Sequence, residues 1–350
     1  MNETLRVGIV GLRSHGTDHA EMLREMDVEI LGSDANPDAR SRFESEYGVE
    51  TFEQPGALYQ RDLDAAIITT PNKYHEPAAV AALEAGHDIL LEKPLAHTLE
   101  SAERIAKVAD ETGQICMVGY YHRFLTVCEI LKSYVDRDHL GEIRHIDATY
   151  VRRRGIPGHG SWYTSNEIAG GGVLLDIGVH TIDLLLYLLD FPAIEEISCS
   201  IRTDFGDRDD YSYIDMFDYD LRPDANIYDV EDNAAVLLHF EDGTTASIEL
   251  GWAVNDETTH EYRLRGTEAG ADLDITFEDE PNDLCFFETR DWGYDHHLDT
   301  EVEAEYRYPH QEQLDHFLTA VRSGEKPSMN TVEQALRVQQ IVEEIYIQSS

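Results

Sequence analysis

Two residue groups in this chain could do chemistry. Asp176 and His180 lie four positions apart in the apolar run Val173 to Leu189. On a helix that spacing puts them on one face, where the carboxylate could orient the imidazole and raise its basicity. Histidine titrates near neutral pH, which suits proton transfer in either direction. The plainer alternative is a structural hydrogen bond between helix neighbours. The second group is Glu92-Lys93-Pro94, after a buried strand read at Asp88 to Leu91. Lysine occurs only at Lys73, Lys93, Lys107, Lys132 and Lys326, so a lysine retained beside proline invites a specific role. Its cation would stabilise a developing alkoxide, or polarise a carbonyl in reverse. Oxidation of a secondary alcohol needs such groups, a proton acceptor and a hydride acceptor, the last supplied by a cofactor. Either Lys93 or His180 could be the immediate base.

A site for that cofactor is suggested near the start. Gly8-Ile9-Val10-Gly11-Leu12-Arg13-Ser14-His15-Gly16 follows one strand and opens a helix. The dinucleotide fingerprint GxGxxG would place its glycines at Gly11, position 13 and Gly16. Arg13 replaces the middle glycine, whose usual part is to let backbone approach the pyrophosphate. Asp34 follows about 20 residues on, at the end of the second strand. An acid there accepts hydrogen bonds from ribose hydroxyls and repels a 2′-phosphate, which favours NAD. The Arg13 cation could bind pyrophosphate or a 2′-phosphate, which keeps NADP as the alternative. A glycine-rich turn that binds nothing is the competing reading.

Further candidates gather before the Asp176 helix. Arg152-Arg153-Arg154 precedes Trp162 and Tyr163. Arginines in so acidic a chain suggest an anionic or polyhydroxylated ligand, although pairing with nearby carboxylates is as good an account. On a strand only Arg152 and Arg154 would share a face. Trp162 or Tyr163 could stack on a sugar face or belong to the core. Cys116, Cys128, Cys199 and Cys285 are far apart with no CxxC pair, so neither a zinc site nor a disulfide frame is expected.

The elements that must position these groups fall into two series. Strands read at Leu5–Val10, Val28–Gly32, Ala65–Thr69, Asp88–Leu91 and Ile115–Gly119 alternate with helices over about 120 residues, which argues for a parallel, doubly wound sheet. A helix at Val127–Val135, a strand at Ile143–Val151 and the helix Val173–Leu189 come next. Extended segments at Ile194–Ile201, Asn233–Phe240, Thr244–Trp252 and Glu261–Gly266 then predict a mostly antiparallel sheet, and two helices end the chain. The expected class is α/β: a Rossmann domain over 1–121 and an α/β domain over 122–350. The final helices could pack back on the first domain. Asp204 to Asp232, acidic and tyrosine-rich, reads as a surface excursion, or more sharply as a subunit contact or substrate lid.

Glu92-Lys93-Pro94, the glycine turn and Gly170-Gly171-Gly172-Val173-Leu174-Leu175-Asp176-Ile177-Gly178-Val179-His180, continuing to Asp183, together resemble the Gfo/Idh/MocA oxidoreductase family. The resemblance covers essentially the whole chain and includes Thr70-Pro71-Asn72 with His75, and Arg123-Phe124. It implies an NAD(P)-binding Rossmann domain and a second domain whose open sheet builds dimers or tetramers. It also implies a sugar, cyclitol or related substrate, no metal, and a Lys93–Pro94 bond that is often cis in relatives. By resemblance Lys93, Asp176 and His180 are the catalytic positions. Gly11, Leu12, Arg13, Ser14, His15, Gly16, Asp34, Thr70, Pro71, Asn72, His75, Glu92 and Lys93 would hold the cofactor. Lys93, Arg123, Arg152, Arg154, Trp162, Tyr163, Asp176 and His180 would meet substrate, with a salt bridge as an equally good account of Arg123. The same apparatus could serve a redox-assisted glycoside-processing enzyme with bound NAD, or persist in a noncatalytic sensor.

Composition excludes several partners. With 27 basic and 70 acidic residues in 350, the formal charge is 27 − 70 = −43. Such a polyanion is expected to bind neither nucleic acid nor anionic lipid. A hydrophobic share of 42 % argues for a real core. Acid-rich, lysine-poor composition resembles that of proteins from salt-in halophiles, where molar salt screens carboxylate repulsion. The start of the chain reads as no signal peptide, and Val173–Leu189 is interrupted by Asp176, His180 and Asp183, so a cytoplasmic location is expected.

Overall fold

A computed structural model describes residues 4–26, 28–206, 208, 211, 227–276 and 282–349. The chain forms two compact units, residues 1–120 with 313–339 and residues 121–312 with 340–350.

Unit 1 is a parallel sheet of β1 (Arg6–Val10), β2 (Glu29–Ser33), β3 (Thr51–Phe52), β4 (Ala65–Ile68), β5 (Asp88–Leu91) and β6 (Cys116–Val118). Its order is β3-β2-β1-β4-β5-β6. All of β4 and three of the four residues of β5 are buried, the continuous apolar run of a strand covered on both faces. The helices are α1 (Ser14–Glu25), α2 (Pro37–Tyr47), α3 (Pro55–Leu58), α4 (His75–Glu84) and α5 (Leu99–Thr112). Their ends follow local chemistry. Asn36 caps α2 through its side chain, Pro37 opens it, and Gly48 closes it at φ 68°. Strand order reverses about β1 and β4, and ligands of such sheets bind beyond the carboxyl ends there. Asn330 secures the returning chain, donating from Nδ2 to the carbonyls of Val118 and Tyr120 at 2.9 Å each.

Unit 2 is built on β7 (Ile143–Val151), β8 (Ile194–Arg202), β9 (Asn233–Phe240), β10 (Thr245–Gly251), β11 (Thr259–Gly266), β12 (Ala269–Asp274), β13 (Asp283–Asp291) and β14 (Asp295–Glu301). The order is β14-β13-β12-β11-β7-β10-β9-β8, antiparallel throughout except for β7 with β10. Alternation sets its two faces. Ile146, Ala148, Ile248, Leu250, Tyr262 and Leu264 are buried. On the other face His145, Thr245, Ser247 and Arg265 form a polar cluster with Asp147.

The helices of unit 2 are α6 (Thr126–Val135), α7 (Asn166–Ala169) and α8 (Val179–Leu188). Two more, α9 (Pro309–Ser323) and α10 (Val332–Ser349), are each divided between the units. Nine of the ten residues of α8 are buried, as befits a helix apolar on nearly every side. The stretch Asn166–Leu188 is long and apolar enough to cross a membrane, but 89 % of its most apolar window is buried in the fold.

Two differences from the sequence reading matter. The expected helix Val173–Leu189 opens as a π-helical turn over Leu174–Gly178 before α8 begins. Gly178 lies in this turn, where a Cβ would come within 2.8 Å of Leu250 Cδ1 on β10. The antiparallel sheet also continues past Gly266 through β12, β13 and β14, which the sequence reading did not include. Of the acidic segment 204–232, residues 207, 209, 210 and 212–226 lie outside the described residues, and with them Tyr213, Phe217 and Tyr219. Its base is held by buried Asp232, which accepts from the amides of Asp204, Phe205 and Gly206 at 2.7–2.8 Å.

Candidate active site

In unit 1 the glycine turn is shaped for close packing. Gly11 has φ +97° and donates its amide to the Ser33 carbonyl at 2.8 Å, joining the ends of β1 and β2. A Cβ on Gly16 would lie 1.9 Å from the Gly11 carbonyl oxygen, so only glycine fits there. Arg13 has φ −119° and ψ 170°, an extended backbone open to any residue, so its presence puts no strain on the turn. It is exposed with Ser14 and His15, and no side chain caps the first turn of α1. Gly16 donates its amide to the Arg13 carbonyl at 2.7 Å, and a helix start beside an arginine suits a pyrophosphate. Asp34 Oδ2 accepts from the Leu12 amide at 2.9 Å and Oδ1 from the Asn36 amide at 2.8 Å. Each carboxylate oxygen keeps acceptor capacity for a ribose hydroxyl. Thr70 Oγ1, beyond β4, is a buried hydroxyl without a partner among the described residues. These residues fit a dinucleotide. Among the described residues no group of three histidine, cysteine or acidic side chains could hold a metal ion.

Lys93 lies after β5, and its bond to Pro94 is cis. Its two neighbours are held by histidines. Glu92 Oε1 lies 3.0 Å from Nε2 of His19, a buried residue of α1. His75 has one ring nitrogen 2.8 Å from the Pro94 carbonyl oxygen and the other 2.7 Å from that of Thr70. Burial holds the His75 pKa below the ordinary imidazole range, and the hydrogen bonds to those carbonyls oppose the shift. His75 was expected to contact the cofactor. It is fully buried instead, and braces the Thr70-Pro71-Asn72 turn to the Lys93-Pro94 turn.

In unit 2, Asp176 Oδ2 accepts from Trp252 Nε1 at 2.9 Å and lies 3.8 Å from Arg152 Nη1. Arg152 is buried and donates to the Tyr150 hydroxyl at 2.8 Å. His180 is buried among rings, with centroids at 4.5 Å from His122 and 5.2 Å from Tyr121. His122 in turn lies 5.0 Å from His260, which stacks on Tyr150 at 3.7 Å. Trp162 and Tyr163, both half-buried, stack on each other at 3.8 Å.

Two candidate substrate residues have partners within the protein. Arg123 is 0 % exposed and grips Asp183 with Nε at 2.8 Å and Nη2 at 2.5 Å, with Tyr187 and Phe191 against its guanidinium. A buried pair of this kind supports the fold and leaves no face for substrate. Arg154 donates to the carbonyls of Arg153 and Val254 and to Asn255 Oδ1, and covers the Phe205 ring at 4.6 Å, so it ties loops together. The sequence reading passed over His19, His122, Glu231, Trp252 and His260. The one local signal was the Gly170-Gly171-Gly172 run, which implies close neighbours without naming them.

Comparison with known proteins agrees with this geometry. Residues 5–120 match the profile of an oxidoreductase family with an NAD-binding Rossmann fold, and residues 129–272 match the GFO/IDH/MocA C-terminal domain. A provisionally named UDP-kanosamine synthase oxidoreductase subunit of Amycolatopsis mediterranei is 32 % identical over 284 residues, 80 % of this chain and 77 % of that one. The D-glucoside 3-dehydrogenase of Escherichia coli is 31 % identical over 212 residues, 60 % of this chain and 58 % of that one. The solved structure of a levoglucosan dehydrogenase in complex with NADH superposes with a TM-score of 0.83 at 21 % identity, covering 99 % of this chain and 97 % of the other. By these matches and by its own glycine turn, Glu92-Lys93-Pro94 turn and Asp176–His180 segment, the chain belongs to the GFO/IDH/MocA oxidoreductase family.

Proposed function

We propose that this protein is an NAD(P)-dependent dehydrogenase acting on a secondary alcohol of a sugar, cyclitol or sugar derivative. The observation that carries the reading is the nucleotide cradle: an uncapped α1, Gly11 at positive φ and Asp34 beyond β2. The names of relatives, a D-glucoside 3-dehydrogenase and a levoglucosan dehydrogenase, support a sugar substrate. Asp34 favours NAD, and exposed Arg13 leaves NADP as the second choice.

When bound, the nicotinamide supplies hydride acceptance. The chain's own residues do the rest. Lys93 places positive charge on the reacting oxygen and lowers the cost of alkoxide character. His180 exchanges the hydroxyl proton. Asp176, fixed by Trp252 and Arg152, orients the substrate or His180. Trp162 and Tyr163 offer ring faces for a sugar.

The polar outer face of the unit 2 sheet, which includes exposed Ala235 and half-buried Leu237, would be the contact between copies in a homodimer or homotetramer. A cytoplasmic, salt-adapted protein accounts for the charge of −43. Binding of NAD and NADP in 2 M KCl, then a screen of polyols and aldoses for absorbance at 340 nm, tests the reading. Net NADH formation is expected. Binding of neither dinucleotide would overturn it, and product release without net NADH would favour the glycoside-processing alternative. Thermal melts in 0.1 M and 2 M KCl should show a higher midpoint in high salt; equal midpoints would remove the salt requirement.

A further inference from the structure

The amides that open a helix have no partners within it. The segment carrying Asp176 begins at Gly172 to Leu174, and no side chain of its own caps it. One residue from a distant part of the chain takes all three amides. Gly172 N lies 3.0 Å from both carboxylate oxygens of Glu231, and Leu174 N donates to Oε1 at 3.0 Å. Val173 N donates to the Glu231 carbonyl at 3.0 Å. Tyr346, on the last turns of α10, donates its hydroxyl to Oε1 at 2.8 Å. Burial pushes the Glu231 pKa up, and the donors around the carboxylate, the Leu174 and Gly172 amides and the Tyr346 hydroxyl, oppose that shift.

Two of the three glycines take their meaning from the same residues. A Cβ at Gly172 would stand 1.9 Å from the Glu231 carbonyl oxygen, and one at Gly171 would stand 2.0 Å from the Tyr346 hydroxyl. Asp176 then donates its amide to the Gly172 carbonyl at 3.0 Å, so the clamp is one hydrogen bond away from the candidate catalytic carboxylate. The turn it controls is π-helical, a geometry that is rare beside the ordinary α-helix and frequent at functional sites. A slip of one residue would rotate the side chains by about 100°.

We infer that Glu231, braced by Tyr346, is a positioning residue. It holds the register of the Leu174–Gly178 turn and thereby the directions of Asp176 and His180. The inference rests on the dehydrogenase reading for its effect on turnover, but the clamp itself can be measured without turnover. Glu231→Gln in the full chain keeps the shape but puts an NH₂ where one of the two carboxylate acceptors was. Amide hydrogen exchange at residues 172–174 should rise relative to wild type, with exchange in unit 1 unchanged. With a substrate found in the screen, kcat should fall about 10- to 100-fold, as misplacement of catalytic groups by an ångström does. KM and NADH affinity should stay within about twofold, because a positioning loss acts on the transition state more than on binding. Tyr346→Phe should move exchange and kcat the same way by less.

Unchanged exchange at 172–174 would overturn the inference, as would faster exchange with kcat within twofold of wild type. If wild type turns over nothing in the screen, the dehydrogenase reading falls, while the exchange result still supports or overturns the clamp. If Glu231→Gln does not fold, Tyr346→Phe decides by the same criteria.

Discussion

Lys93 sits between two residues held by histidine rings, Glu92 by His19 and Pro94 by His75. Asp176 and His180 sit on a turn whose first amides are gathered by a carboxylate, Glu231, with Trp252 and Arg152 on the Asp176 side chain. The first arrangement braces a loop from both sides through side chains of α1 and α4. The second fixes a helix from its end, through the backbone. The contrast follows from what each unit has to offer. A loop after a strand has few backbone partners of its own, so side chains must reach it. A helix start has unpaired amides, and one acceptor placed there sets the whole element.

The largest effects belong to the reactive groups themselves. Lys93→Ala and His180→Ala should each lower kcat by about 10²- to 10⁴-fold, with His180→Ala leaving NADH affinity unchanged by fluorescence titration. Retained turnover in both would end the proposed chemistry. The next pair separates the two units. Gly16→Ala forces a Cβ to 1.9 Å from the Gly11 carbonyl, and Gly172→Ala forces one to 1.9 Å from the Glu231 carbonyl. Each should lower stability by about 1–3 kcal/mol. The first should weaken NADH binding and the second should lower kcat, so matching losses in both measurements would erase the distinction drawn here.

A smaller effect is expected from the brace at Glu92. His19→Ala removes one hydrogen bond to that carboxylate, a loss of about 0.5–1.5 kcal/mol in urea unfolding. His19→Gln should recover part of it if a hydrogen bond matters more than the ring. The smallest effect concerns pH. Buried His75 has its pKa held below the unfolded value of 6.5. As pH falls through 6.5 the unfolded chain takes up a proton that the folded chain refuses, so stability drops with acidification. His75→Asn should make the stability profile shallower between pH 7 and 5; an unchanged slope would show that His75 accepts the proton in place.

Much of the fold was legible in the sequence because the signals were local. The strand Ile143–Val151 alternates, and the parallel strands read as short apolar runs. The strands β12 to β14 were not legible. Gly270, Asp272, Asp274 and Asp283 are poor strand formers, and that weighed against the alternation that burial of Ala271, Leu273 and Leu284 bears out. At the candidate site the motif residues could be named, but not what holds them. Glu231 is 59 residues from Gly172, and Tyr346 is 115 from Glu231. No pattern within a window of the chain links such partners. Arg123, Arg154 and His75 show how residue types suited to ligand binding also serve buried or loop-tying hydrogen bonds, a use that sequence alone does not separate from the other.

The bond from Tyr346 to Glu231 also bears on how the protein is made. Synthesis runs from the amino end at about 5–20 residues per second, and domains tend to fold as they emerge. The helix that carries Asp176 is therefore translated well before the hydroxyl that completes its clamp. Until the ribosome has passed codon 346, Glu231 has its amide partners but not its phenol. A nascent chain stalled short of that point should carry the whole glycine turn of unit 1 and an unfinished unit 2. The last helix acts as the latch that closes assembly of the reactive segment.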